Sequence, residues 1–397
     1  MIELFYEMTS QTWYQQFDKE KKVTMGKYYS VPYKKEHTSK FLSFPFLLKD
    51  MKAGPLICIL ASPKKNGFIG NISLFKRIQR NLQQLGGLSV VVTPEQLTED
   101  GVNGFCYLPA HDHWVKVQTP LPDILYNRLA RYEDERLFLE QTEKLTSLYH
   151  IPVFNPHFFD KWELYLQLRD NERLKQHLPK TDLLSEETLA EYLSTYPEVY
   201  IKKRKSKKGK GVFLIVRNGN TFLMKSTSTT TVLFPSVRKL ASYFEKEESI
   251  DSYIIQEAIT TLPMKGKKFD YRVLAHSSGN GFSITGVGVR MAKKQQVTTH
   301  VPSGGVIVAT EELPVKTDHE TIEQLITQCG KQLTAFYDDI GEFSADIGIT
   351  TEGKHYIFEL NAKPMDFDEA PIKQRATENI TKVFYERTGF SMQESSS

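Results

Sequence analysis

The sequence predicts a mixed chain, α/β and then α+β: a small strand-rich module, an open α/β domain, and a larger α+β region closed by a hairpin. Three observations predict it. Short alternating runs rich in Tyr, Phe, Thr and Lys, such as KVTMGKYYSV, fill residues 1–52 and read as strands. From Pro55 a buried strand (LICILA), a bend, a helical run and a second strand follow in the βαβ order that builds a parallel sheet. Near the C-terminus, GEFSADIGITTEGKHYIFELNAKP (341–364) alternates apolar and polar side chains on both sides of a turn.

Composition sets the outer limits. At 397 residues, 40% hydrophobic and 25% charged, the chain has material for two or three domains and a sizeable core. A net charge of +3 does not by itself select nucleic acid or a membrane surface as partner. Cys58, Cys106 and Cys329 are widely spaced with no CxxC, which excludes a thiolate zinc site and suits a reducing compartment. The N-terminus lacks the basic and apolar regions of a signal peptide, and no apolar run approaches the roughly 20 residues that cross a bilayer. A cytoplasmic location is the expectation.

The predicted domains are 1–52, 53–152 and 153–392, with a disordered tail at 393–397. In the second, the bend NGFIGN leads into ISLFKRIQRNLQQLG, whose Leu74, Ile78, Leu82 and Leu85 share a helical face and which ends at Gly86-Gly87. A strand at 88–93 completes the βαβ unit. LPDILYNRLAR (121–131) follows where open α/β sheets place ligands, so Tyr126, Asn127 and Arg128 are candidate substrate contacts; a helix start with an ordinary surface arginine is equally compatible.

In the third domain, the segment around FFDKWELYLQLRDNERLKQHLPKT predicts a helix from Asp160 to about His177, stopped by Pro179. Lys161 in its first turn opposes the helix dipole and needs another reason, such as an anionic ligand. VYIKKRKSKKGKGVFLIV predicts two strands joined by a loop with seven Lys or Arg between 202 and 210 and glycines at 209 and 211. It is no Walker A loop, yet such a loop can fold over phosphates. A solvated basic loop remains open; nucleic-acid binding is disfavoured because the aromatics sit inside the strands. SYIIQEAI (252–259) is a short apolar strand. FDYRV places Asp270 and Arg272 on one strand face, an acceptor for a ribose hydroxyl beside a donor for phosphate or acyl phosphate, or simply an intra-strand ion pair. Arg290 stands at a strand end, and Gly304-Gly305 where backbone passes close to a neighbour. A packing helix covers Thr321 to Tyr337.

The hairpin is the richest stretch. A turn centred on Glu352-Gly353 sets Asp346 opposite Glu359 and Ser344 opposite Asn361. Like charges that close destabilise a hairpin unless they are neutralised, and a divalent cation such as Mg²⁺ would do so with Asp346, Glu359 and the Asn361 carbonyl as oxygen ligands. Solvated carboxylates on an exposed face are the plainer alternative.

D-I-G-I, a turn, then F-E-L-N-x-K-P resembles the metal-binding hairpin of ATP-grasp enzymes. LPDILYNR, FNPHFFDKWELY, LPKT, GKGVFLI and FDYRVL, in this order, resemble the YheC/YheD endospore coat-associated family from about residue 55 onward. The resemblance implies an ATP-grasp fold over 153–392 with a small subdomain at about 178–256, ATP and Mg²⁺ as cofactors, and a link to sporulation. It implies that Lys161 contacts the nucleotide phosphates, that Lys202 is the cofactor-binding lysine at a strand end of the small subdomain, that Lys208, Gly209 and Gly211 belong to its mobile loop, and that Gln256, Glu257 and Ala258 hold adenine by main-chain contacts. Asp346, Glu359 and Asn361 would hold the metal. Two departures stand out: Lys203 where the family has Pro, and His300 where related ligases have Asn before the paired glycines.

The resulting expectation is an ATP-dependent carboxylate-amine ligase. Asp270 would contact the nucleotide, and Arg272 and Arg290 an acyl phosphate made from a carboxylate substrate that an amine then attacks. The alternative is a non-catalytic nucleotide-binding scaffold of the spore coat. Partners would be ATP, the two substrates and spore coat components, with neither nucleic acid nor membrane, and the location cytoplasm or spore coat.

Overall fold

A computed structural model describes residues 1–36, 40–206, 211–227, 231–279, 281–293 and 297–392. Lys208 and Gly209 lie outside the described residues, as does the 393–397 tail. The chain divides into two compact units, Met1–His157 with Asp338–Glu342 and Lys373–Ser397, and Phe158–Tyr337 with Phe343–Ile372.

The first unit holds two large sheets that share one of its two core clusters. The N-terminal runs form a six-stranded sheet ordered Thr12–Gln15, Ile2–Glu7, Phe41–Lys49, Lys52–Gly54, Val23–Met25, Tyr29–Val31. Its Leu4, Trp13, Phe44 and Phe46 share a core with Leu56, Cys58, Leu88 and Val90 of the next sheet, so burial does not pause at residue 52. In that sheet Leu56–Leu60 lies between parallel neighbours Leu88–Val92 and Ile124–Asn127, the arrangement the βαβ pattern predicts. The connecting helix is Ile72–Gln84, capped by Asn71, whose side chain accepts from the Leu74 amide. The bend before it is a small hairpin, Ser62–Lys64 with Gly67–Ile69. A C-terminal helix, Ala370–Thr388, adds Ile380, Val383, Phe384 and Tyr385 to this unit's second core cluster.

The second unit also has two sheets. One is ordered Thr181–Leu183, Tyr253–Glu257, Glu198–Lys203, Val212–Asn218, Thr221–Lys225, Thr231–Phe234. Helices Glu186–Thr195 and Val237–Glu247 bury Leu189, Tyr192, Leu240 and Phe244 against it. The other runs Val306–Val308, Gly281–Met291, Lys267–Ser278, Glu342–Ile349, His355–Asn361.

Two helix boundaries differ from expectation. The helix predicted to reach His177 is two, Lys161–Arg169 and Glu172–Lys175, because Asn171 turns its side chain onto the Arg173 and Leu174 amides and caps a new start. The packing helix is His319–Phe336, started by Asp318, whose side chain caps the Thr321 amide.

Candidate functional site

The hairpin forms with Asp346 opposite Glu359 and Ser344 opposite Asn361. A register shift after Asp346 then pairs Ile347 with Ile357, so a bulge adjoins the acidic pair and the turn is longer than two residues. The strand Glu342–Ile349 is buried along its whole length, and Asp346 is only 4% exposed. Asp346 alone of this strand reaches a cleft.

That cleft is lined by Lys161, Lys202, Gln256, Asp270, His300 and Glu359 among others. Asp346 Oδ1 lies 2.9 Å from Arg290 Nη2, and Glu359 Oε1 lies 3.3 Å from Lys161 Nζ. Each carboxylate turns its other oxygen toward His300, whose Nε2 is 3.6 Å from Asp346 Oδ2 and 4.0 Å from Glu359 Oε2. Burial would push the Asp346 carboxyl up, but Arg290, His300 and Arg272 more than reverse this, and it stays below the usual carboxylate range.

Asp270 and Arg290 are cross-strand partners, with Arg290 Nε 3.0 Å from Asp270 Oδ1. Thr299 donates its hydroxyl to the other oxygen, Oδ2. Both oxygens of the residue expected to meet a ribose are thus engaged in holding Arg290 and the 299–300 backbone. Burial raises the Asp270 carboxyl despite Arg290, while for Arg290 the two carboxylates outweigh burial and raise the guanidinium further. Arg272 donates Nη2 to the Met365 carbonyl (2.9 Å) and lies 4.7 Å from the Phe367 ring centroid, packed against the segment that follows the hairpin.

Lys161 opens its helix behind Asp160, which caps the Trp162 and Glu163 amides and pairs with Arg204. Its Nζ also donates to the Ser206 carbonyl at 3.2 Å, at the edge of the glycine loop. Lys202 donates to Gln256 Oε1 at 2.6 Å, and Gln256 in turn donates to Thr181. Burial lowers the Lys202 ammonium to about 8, with Glu359 opposing the shift and Lys161 adding to it. Glu257 accepts the Lys180 amide, and Ala258 follows at the strand end. Gly211 has φ 68°, and its carbonyl accepts the Lys203 amide.

The structure adds residues to this set and moves others out of it. Lys268 lines the cleft and donates to the Tyr200 hydroxyl; nothing in its spacing marked it. His300 is brought in by a loop whose geometry depends on Gly305: a Cβ there would lie 1.9 Å from the Thr299 carbonyl oxygen. The paired glycines were the available signal. Tyr126 and Asn127, read as candidate substrate contacts, are 0% exposed. Tyr126 and Arg128 both donate to Glu342 Oε1, and Asn127 donates to the Pro156 carbonyl. These groups brace the first unit's own fold.

Comparison with known proteins gives a family and a fold. Residues 150–387 match the family described as YheC/D like ATP-grasp. The chain is 28% identical over 332 residues, 78% of its length and 73% of the relative's, to the endospore coat-associated protein YheD of Bacillus subtilis (strain 168). Among solved structures it is similar to the VanG D-Ala:D-Ser ligase from Enterococcus faecalis, with TM-score 0.55 and 10% identity over 84% of this chain and 99% of that one. It is also similar to D-alanyl-alanine synthetase A from Vibrio cholerae O1 biovar eltor str. N16961, with TM-score 0.51 and 12% identity over 85% and 99%. At such identities the likeness speaks for the fold, which is ATP-grasp.

Proposed function

The chain belongs to the YheC/D-like ATP-grasp family, and from that premise we propose that it is an ATP-dependent ligase that joins a carboxylate to an amine. The observation that carries this reading is the convergence on one cleft of Asp346 and Glu359 with Lys161 and Lys202, with Arg290 paired to Asp346. A divalent cation fits the donor set: two facing carboxylates at one end of a hairpin, with ligand atoms from these and His300 all within 4.8 Å of one another. Asp346, Glu359 and Asn361 would hold Mg²⁺, which supplies charge neutralisation for the phosphates.

The protein's own groups do the remaining work. Lys161 and Lys202 bind the polyphosphate, and the Gln256–Ala258 strand end holds the base through its main chain. Arg290, fixed by Asp270, stabilises negative charge as it develops on the transferring group. The substrate carboxylate attacks the γ-phosphorus, the bond to ADP breaks, and an acyl phosphate forms. An amine then attacks the acyl carbon, phosphate leaves, and the amine proton is lost to solvent. Arg272 orients the acyl end from beside Met365. A role in sporulation, in the cytoplasm or at the spore coat, is part of the proposal and rests on the relative's name. No helix among the described residues is long and apolar enough to cross a membrane.

The test is ADP release with pools of amino acids, peptides and spore metabolites, run beside Glu359→Gln. Turnover with some pool, abolished in the variant, supports the ligase. Nucleotide binding with no turnover in any pool overturns it in favour of a binding-only scaffold.

A further inference from the structure

Asp346 and Glu359 each commit one oxygen to a fixed cation, Oδ1 to Arg290 and Oε1 to Lys161, and leave the other facing the imidazole of His300. His300 Nε2 stands 3.6 Å and 4.0 Å from those free oxygens, too far for a direct hydrogen bond to either. Two ligands on one ion with metal–ligand bonds of about 2.1 Å are at most about 4.2 Å apart, so both separations suit a shared ion. The imidazole is held in place by its backbone. The His300 amide donates to Thr298 Oγ1 at 3.2 Å, and its carbonyl accepts from Ser303 and Gly305 at 2.9 and 3.1 Å.

We infer that His300, Asp346 and Glu359 form a mixed imidazole–dicarboxylate position that takes a divalent first-row transition ion, with Mn²⁺ as its paramagnetic probe, in preference to Mg²⁺. The inference deepens the reading above and rests on it. Mg²⁺ demands oxygen ligands and gains little from a nitrogen donor, whereas transition ions accept imidazole and carboxylate together. Asn361, two pairs along the hairpin from Glu359, is left as the oxygen ligand of an Mg²⁺ that travels with the nucleotide.

The experiment uses the full chain freed of metal, with Mn²⁺ alone as the probe, followed by electron paramagnetic resonance. Bound Mn²⁺ should show nitrogen hyperfine coupling in pulsed spectra. His300→Asn and His300→Gln should both lose that coupling and weaken Mn²⁺ binding by about tenfold or more, a loss seen even when an outer-shell partner is removed. Mg²⁺ affinity, read by competition, should move far less. Mn²⁺ bound without nitrogen coupling, or with equal affinity in wild type and variants, overturns the inference. An ATP analogue titrated into the same samples separates the two readings: nucleotide binding that persists while the nitrogen signal is absent sinks only the metal preference, and loss of both sinks the nucleotide site as well.

Discussion

Asp270 and Arg290 face each other across neighbouring strands, and the Nε of Arg290 lies 3.0 Å from Oδ1 of Asp270. Because Arg290 also reaches Asp346 at 2.9 Å, one guanidinium holds two buried carboxylates apart from water. Removing one partner of a buried pair strands the other charge, at a cost of about 3–5 kcal/mol. Arg290→Met should therefore lower stability by about that amount. Adding Asp270→Leu to it should recover part of the loss, since an apolar pair tolerates the site better than a lone charge. Urea denaturation of the single and double variants checks this, and a double variant no more stable than the single would show that Arg290 acts on Asp346 alone.

Gly305 gives a sharper separation of stability from function. A Cβ there meets the Thr299 carbonyl oxygen at 1.9 Å, so Gly305→Ala must displace the loop that carries Thr299 and His300. Gly353, in the hairpin turn, has φ 83° and open space around it. Gly353→Ala should cost about 1–2 kcal/mol of backbone strain and leave cation binding intact. Gly305→Ala should cost a comparable 1–3 kcal/mol and abolish cation binding. Thermal midpoints beside Mn²⁺ titrations test the contrast; equal cation affinity in the two variants would mean the loop does not position the site.

What the sequence made legible follows the range of the interactions. The pairing of Asp346 with Glu359 could be read because period-two alternation and a turn glycine are local signals. The bulge beside Asp346 could not, since it answers to the packing of neighbouring strands. The proximity of Lys161 to Glu359 spans about 200 residues of chain and leaves no periodic trace, and Lys161 drew notice only as a charge misplaced on its helix. His300 read as a substitution at a loop position, and only the fold gives that loop a direction. Tyr126, Asn127 and Arg128 misled because a strand end in an open sheet is also where a buried polar brace is needed. The helix Ala370–Thr388 went unread because its helical face is filled by Ile380, Val383, Phe384 and Tyr385, residues that also suit strands.

Lys161 makes a third test. Its ammonium touches Glu359 and the Ser206 carbonyl and faces the cleft, where polyphosphate would sit. Hydrogen bonds to charged groups contribute about 1.5–3 kcal/mol, or about ten- to a hundredfold in affinity. Lys161→Met should weaken binding of a fluorescent ATP analogue by that factor and, because Glu359 loses its partner, also lower the thermal midpoint. An unaltered dissociation constant would remove Lys161 from the nucleotide site.

Lys202 links nucleotide binding to pH. Its ammonium titrates at about 8 in the folded protein, against 10.5 for an ordinary lysine, because burial disfavours the charge. Below about 8 the group is charged whether the chain is folded or not, and the folded state bears the full cost of burying it. As pH rises from about 8 toward 10.5 the unfolded chain holds more protons than the folded one, so this cost is relieved and the contribution to stability rises. Nucleotide binding has the opposite sign. A polyphosphate beside Lys202 favours the ammonium, so at pH 8 binding should draw in roughly half a proton per site and weaken as the pH climbs further. Calorimetric titrations at pH 8 in two buffers of different ionisation enthalpy measure that uptake directly. Lys202→Met, which keeps the stem and removes the charge, should abolish the uptake, weaken nucleotide binding, and raise the denaturation midpoint of the free protein at pH 7. Identical binding heats in the two buffers for the wild type would mean that Lys202 is fully charged before the nucleotide arrives, or that the phosphates lie elsewhere.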